Sequence, residues 1–218
     1  MTKRIFLVHP YFPTMAPIDA AFKRDWPQAQ IVNLLDESLY ADVPQDGALS
    51  PLLYERVATL LHHCVKSGAD GIVFTGTTFG PAIEAVRPHI KVPLLRAEEA
   101  MAELAVGMGK DVLLVCSAKR AMPVIRGSLD AAAERQGVTP RIDELWVSGA
   151  KDALAAGGME AHDQLIANEV EAASHAGVIV IGQISMVGAC AYLPPEITGR
   201  TVTSLNAAVA RMRTLVER

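Results

Sequence analysis

The stretch Gly71-Ile-Val-Phe-Thr-Gly76-Thr-Thr-Phe-Gly80-Pro81 reads as a buried strand running into a helix. A short apolar run without alternation suits a parallel strand covered on both faces. Gly76 permits a tight turn, and a helix starts near Pro81. The design returns 107 residues later in Gly177-Val-Ile-Val-Ile-Gly-Gln183-Ile-Ser-Met186. His9 and Cys116 end strands at that same offset, and Thr78 and Ser185 share it. Landmarks far apart within each half keep one spacing. This predicts an α/β fold of two pseudo-symmetric lobes, each a four-stranded parallel sheet flanked by helices.

Outward from these two segments, strand signals fall at Arg4–Val8, Gln30–Leu34, Val92–Leu95, Asp111–Val115, Arg141–Trp146 and Thr201–Thr203, with the quoted runs as Gly71–Thr75 and Val178–Ile181. The clearest helical periodicities are Pro51–Ser67 with Ser50 as N-cap, Pro81–Val86, Glu98–Met108, Arg120–Gln136, Glu160–Ala176 and Asn206–Glu217. Gly68, Gly109, Gly137 and Gly177 follow helices. The first lobe is expected over residues 1–97 plus 205–218, the last helix packing back on it, and the second over 98–204. Ligands of parallel sheets bind beyond the carboxyl ends of strands. The expected site is therefore a cleft between the lobes, lined by the loops His9–Thr14, Thr75–Pro81, Cys116–Arg120 and Gln183–Gly188.

Composition narrows the function. The chain has 218 residues, a net charge of −4 and 50% apolar residues, rich in small aliphatics. No basic stretch follows a phosphate backbone, so nucleic acid is not an expected partner. No apolar run approaches the roughly 20 residues of a membrane span, and the N-terminus reads as strand one, not a signal peptide. Three widely spaced cysteines, Cys64, Cys116 and Cys190, match a reducing cytoplasm. The histidines His62, His63, His89, His162 and His175 form no metal-ligand spacing, and no metal or organic cofactor is implied.

Chemistry must come from the loops. Gly76, Thr77 and Thr78 offer backbone N–H groups, two hydroxyls and a helix start, which together suit a carboxylate; a threonine there can also simply cap the helix. Gln183 and Ser185 form the matching loop. Gln183 can hydrogen-bond a ligand or hold the lobes together, but is no acid or base near neutral pH. His9 has a pKa suited to proton transfer, although a lone histidine also serves as a structural hydrogen-bonder. Tyr11 follows it. Cys116 reads mainly as a small apolar residue ending a strand. Ser117 sits beside it, and Lys119 can pair with a carboxylate, or act as a base if desolvated.

Asn33-Leu-Leu-Asp-Glu-Ser-Leu39, Gly68-Ala-Asp70, Phe74-Thr75, Glu99-Ala-Met101 and Gln183-Ile-Ser-Met186 resemble the aspartate/glutamate racemase superfamily, over nearly the whole chain. The resemblance implies cofactor-independent chemistry at the carbon next to a carboxylate, in amino acid metabolism. Two facing cysteines, one per lobe, would move the proton, and a homodimer is expected. Those cysteine positions are Gly76 and Gln183. The Gly76-Thr77-Thr78 loop looks like that of arylmalonate decarboxylase, which keeps a single cysteine in its second lobe, where this chain has Gln183. His9 falls where glutamate racemases carry an aspartate, and Lys119 near a substrate-contacting tyrosine of the decarboxylase.

The first reading is a racemase- or isomerase-like enzyme acting on a small carboxylate through an α-carbanion. Its catalytic candidates are His9 and Lys119. Its substrate-binding candidates are Tyr11, Gly76, Thr77, Thr78, Ser117, Gln183 and Ser185. The alternatives are an arylmalonate-decarboxylase-like lyase and a carboxylate-binding protein without turnover. Hydrolysis ranks last, for want of a placeable Ser-His-Asp set.

Overall fold

Among the described residues, eight strands form where the branched aliphatic runs lie: β1 Arg4–His9, β2 Gln30–Leu35, β3 Gly71–Phe74, β4 Leu94–Arg96, β5 Asp111–Cys116, β6 Arg141–Trp146, β7 Val178–Ile181 and β8 Thr201–Thr203. These come from a computed structural model describing residues 2–45, 47–109, 111–173 and 177–218. The strands make two sheets of four, ordered β2-β1-β3-β4 and β6-β5-β7-β8, with every pairing parallel. The central strands β3 and β7 are buried along their whole length, as their uninterrupted apolar sequences require.

The helices are α1 Met15–Asp25, α2 Ser38–Ala41, α3 Pro51–Lys66, α4 Gly80–Val86, α5 Ala97–Met108, α6 Ala121–Gln136, α7 Ala150–Ala173, α8 Pro195–Thr198 and α9 Ser204–Val216. Ser50 caps α3 by accepting from the Leu53 N–H, and Pro51 occupies its first turn. Gly137 ends α6 in the left-handed region, at φ 66°. α1 lies outside the clearest sequence periodicities. Its Pro17 falls in the first turn, where proline is tolerated, and Ile18, Ala21 and Phe22 form its buried stripe. α7 begins at Ala150, earlier than the expected Glu160, across a non-helical kink at Gly158. The expected end of that helix at Ala176, and His175, lie outside the described residues.

The chain divides into two compact units, Met1–Ala97 with Ala208–Arg218, and Glu98–Ala207. The end of α9 packs on β3, where Met212 and Val216 crowd the Cα of Gly71. Each unit has its own core. Phe6, Val8, Leu61, Ile72, Phe74 and Phe79 belong to the first; Val115, Ile166, Val170, Ile179, Ile181 and Met186 belong to the second.

The repeat is written into the hydrogen bonds. Ile5 pairs with Gly71 in the first sheet, and Val112 with Val178 in the second. The Thr75 N–H donates to Val8 O and the Gly182 N–H to Val115 O; the Phe79 N–H donates to Gly76 O and the Met186 N–H to Gln183 O. All of these keep the offset of 107. Of the outer strands, β4 and β8 keep 107 and one pair differs: β2 starts at Gln30 and β6 at Arg141, a shift of 111.

Candidate functional site

In the first unit, the loop after β3 leaves its backbone donors available. Thr77–Phe79 is a single 3-10 turn with Gly76 as its N-cap residue, and no side chain caps it. The N–H groups at the start of such a turn have no partner within it. Neither Thr77 nor Thr78 caps α4, whose N-cap position is Phe79. The capping role that sequence allows is thus not taken, and both hydroxyls remain half-buried at the strand end.

Gly76 is required there. A Cβ on it would run into the ring of the buried Pro10, and would lie 3.1 Å from Phe79 and 3.2 Å from Phe74. The position that the family resemblance assigns to a cysteine is therefore filled by Pro10, a rigid ring that cannot rotate aside.

An aromatic wall stands beside this loop. Tyr40 packs edge-on against Phe79 at 5.2 Å and against Tyr11 at 6.2 Å, and its hydroxyl lies 3.3 Å from Thr78 Oγ1. Tyr11 and Phe12 are exposed. The segment carrying Tyr40 is held by Arg56, which reaches Asp36, Ser38 and Asp42. Glu37 accepts from the Phe12 N–H at 3.1 Å, tying the loop after β1 to the segment after β2.

His9 is placed differently from its expected position at a loop mouth. It is fully buried, with both ring nitrogens engaged. Nε2 lies 3.0 Å from Asn33 Oδ1, and Nδ1 lies 3.1 Å from Thr75 Oγ1 and 3.3 Å from Thr14 Oγ1. Asn33 donates onward from Nδ2 to Asp19 Oδ1, 3.1 Å away, and Lys23 pairs with Asp19 at 2.6 Å. Burial pushes the His9 pKa below its usual value, only partly offset by the Asn33 hydrogen bond and the Asp19 charge. His9 is therefore neutral at pH 7.

In the second unit, Gln183 Oε1 accepts three hydrogen bonds: the N–H groups of Ser117 and Ala118, each at 2.9 Å, and the Ser117 hydroxyl at 3.2 Å. Backbone N–H groups can only donate, so the amide is fixed with its Nε2 donors turned away from them. All these partners lie within the second unit, so this tie is not one between lobes. Ser185 makes no cap for the 3-10 segment Ile184–Tyr192.

Lys119 does not meet the condition that would make it a base. It is exposed, and its ammonium lies 5.0 Å from the ring centre of Trp146. Cys116 is fully buried, and burial, then the Glu144 charge, pushes its thiol up to about 12. Another buried pair, His162 and Asp163 at 2.8 Å, sits beneath Gly188, where a Cβ would strike the Asp163 carboxylate. Among the described residues, no three His, Cys, Asp or Glu side chains gather as a metal-ligand set, and no helix is long and apolar enough to cross a membrane.

Sequence reading missed Thr14, Thr75, Asn33, Asp19 and Tyr40. Asn33 and Thr75 lie inside the segments that carry the resemblance, but pattern alone does not show which side chains meet.

With this geometry in place, comparison assigns the class. The sequence model of the Asp/Glu/Hydantoin racemase family matches residues 14–212, and the chain belongs to that family. A search of curated proteins finds no match. Among solved structures, allantoin racemase from Klebsiella pneumoniae superposes with a TM-score of 0.70 at 19% identity, covering 99% of this chain and 88% of that one. An aspartate racemase homologue from Pyrococcus horikoshii gives 0.72 at 13% identity, covering 100% of both chains. Unliganded arylmalonate decarboxylase gives 0.61 at 18% identity, covering 99% and 93%. At these identities the likeness is one of fold.

Proposed function

We propose that this chain is an enzyme acting on a small carboxylate, an amino acid or a related acid, through an α-carbanion. It is a racemase- or isomerase-like member of its family. The observation that carries this reading is the Gly76-Thr77-Thr78 loop. Its N–H groups, the Thr77 hydroxyl and the Thr78 hydroxyl beside Tyr40, neither of them spent on a helix cap, suit a carboxylate whose charge spreads into an enolate-like intermediate. Membership of the Asp/Glu/Hydantoin racemase family supports the substrate class.

Carbon dioxide release is the alternative reaction on the same loop, and likeness to arylmalonate decarboxylase supports including it. A carboxylate-binding protein without turnover is favoured by one observation: Gln183, where the resemblance expects a cysteine, is an amide with no proton to give or take near neutral pH.

The test is incubation in heavy water with α-amino acids, 5-substituted hydantoins, arylmalonates and maleate, followed by proton NMR and carbon dioxide detection. Deuterium entry at the α-carbon, or carbon dioxide release, is the expected result. Thr77→Val and Thr78→Val should each lower the rate about 100-fold or more, the usual loss for one oxyanion donor. Saturable binding of these compounds without exchange or release contradicts the enzyme reading and leaves the binding protein.

A further inference from the structure

The two halves of this chain are a built-in control for what the fold itself needs. At the 107 offset, His9 corresponds to Cys116, Thr75 to Gly182, Thr14 to Ala121 and Asp19 to Arg126; by strand register, Asn33 corresponds to Glu144, since Asn33 pairs with Leu7 and Glu144 with Leu114. In the second unit Cys116, Ala121 and Gly182 stand in place of the imidazole and the two hydroxyls, and an Arg126–Glu144 ion pair at 3.4 Å stands in place of Asp19 and Asn33. The Cys116 thiol lies 2.8 Å from where a Cβ on Gly182 would be, so sulfur occupies the space of the Thr75 side chain. The fold therefore closes at this point without a buried imidazole or hydroxyl. The first unit instead buries an imidazole and two hydroxyls there, which is unfavourable unless every polar atom is matched.

The matching fixes the protons. Asn33 spends its N–H on Asp19, so its Oδ1 faces His9 and accepts from Nε2. Neutral His9 is then the Nε2–H tautomer, and Nδ1 is a bare acceptor. The Thr14 hydroxyl donates to Tyr11 O at 2.7 Å. The one hydroxyl left to satisfy Nδ1 is Thr75, at 3.1 Å. Two other acceptors lie within reach of the Thr75 hydroxyl: Val8 O at 3.2 Å, which already receives the Thr75 N–H, and Thr14 Oγ1 at 3.1 Å, a hydroxyl that needs no second donor. An unmatched buried acceptor costs about 1–3 kcal/mol, so the Thr75 hydroxyl donates to Nδ1.

We infer that Thr75 and His9 form a proton relay, with Thr75 as the hydroxyl that meets the substrate and His9 as the base behind it. The relay rests on the carboxylate-enzyme reading above and supplies its proton carrier. Thr75 precedes Gly76 directly, one residue from the groups that hold the carboxylate. In the forward step the α C–H bond breaks and its electron pair stays on the substrate as the enolate-like anion. The proton forms a new O–H bond on Thr75 as the old Thr75 O–H bond breaks and its proton joins His9 Nδ1. His9 becomes imidazolium, its Nε2–H still on Asn33, with Asp19 the facing carboxylate and Lys23 paired to that carboxylate. The reverse step returns a proton by the same route. One hydroxyl on one face gives and takes, so the relay serves one face of the substrate, and inversion takes a second proton donor on the other. Asn33 is a positioning residue that sets the tautomer.

The test has two arms. In protein labelled with 15N-histidine, a long-range proton–nitrogen correlation at pH 7 reads the tautomer of His9 without any substrate. Nε2 protonated and Nδ1 bare is expected, with Thr75→Val moving the Nδ1 resonance and leaving Nε2–H in place. An Nδ1–H tautomer, or an Nδ1 resonance unmoved by Thr75→Val, overturns the relay whatever the activity. In heavy water with α-amino acids, Thr75→Val should lose exchange about 100-fold or more while Thr75→Ser keeps it. Undiminished exchange in Thr75→Val overturns the relay and leaves the enzyme reading standing. No exchange by the wild type, with the tautomer as stated, overturns the enzyme reading and the relay together.

Discussion

The ring of Pro10 occupies the space that a Cβ on Gly76 would need. The absence of a cysteine at residue 76 is thus a packed arrangement, shared between the end of β1 and the loop after β3. Gly76→Cys alone should destabilise the protein by about 1–3 kcal/mol, the usual cost of overpacking. Pro10→Ala in the same chain should recover most of that loss. Urea denaturation of the two single variants and the double variant measures the coupling, and additive effects would contradict the contact.

The thiols should be inert in the native state. Burial pushes Cys64 to about 11 and Cys116 to about 12, and raises Cys190 as well. Cys64 and Cys116 are fully buried, whereas Cys190 is half-buried. At pH 8, an aromatic disulfide reagent should find Cys190 slowly and the other two only after unfolding. Rapid modification of Cys116 would contradict its place in the core.

Neutral, buried His9 sets a sign for stability against pH. Its folded pKa lies below the unfolded value of 6.5. As pH falls below 6.5, the unfolded chain takes up a proton that folded His9 refuses. Stability attributable to His9 is therefore complete above 6.5 and declines towards the folded pKa. His9→Asn should flatten that part of the stability profile relative to wild type. An unchanged slope between pH 6.5 and 5 would contradict a buried neutral ring.

Gln183 should tolerate a change of charge better than a loss of its acceptor. Its Oε1 receives three donors, so Gln183→Leu should cost about 1–3 kcal/mol, and Gln183→Glu much less. Gln183→Glu should also weaken carboxylate ligands by like-charge repulsion. Thermal melts with and without a bound malonate read both effects. Equal stability of the Leu and Glu variants would show that the Ser117 and Ala118 donors find other partners.

Much of the fold is legible in sequence because its signals are local. β6, β7 and β8 begin and end where their branched residues do, and the 107 spacing reappears as matched backbone hydrogen bonds. β4 starts at Leu94 instead of Val92, since Pro93 cannot join a ladder as a donor. The candidate site is less legible. A strand-end histidine reads as exposed or buried according to what covers it. Here Thr14, Thr75 and Asn33 come from three separate segments to enclose the ring. Lys119 looks equally reactive in sequence, yet its surroundings leave it in water over Trp146. Pro10 and Gly76 are 66 residues apart, and no pattern in either segment announces that they touch.

Under the proposed function, proton chemistry on a small carboxylate runs in this chain without a cysteine at residue 76 or 183. Proton NMR of α-amino acids in heavy water, with wild-type protein, is the direct test. Loss of the α-proton signal, abolished in His9→Asn, is the expected result. Compounds that bind and saturate while keeping their α-proton would contradict it.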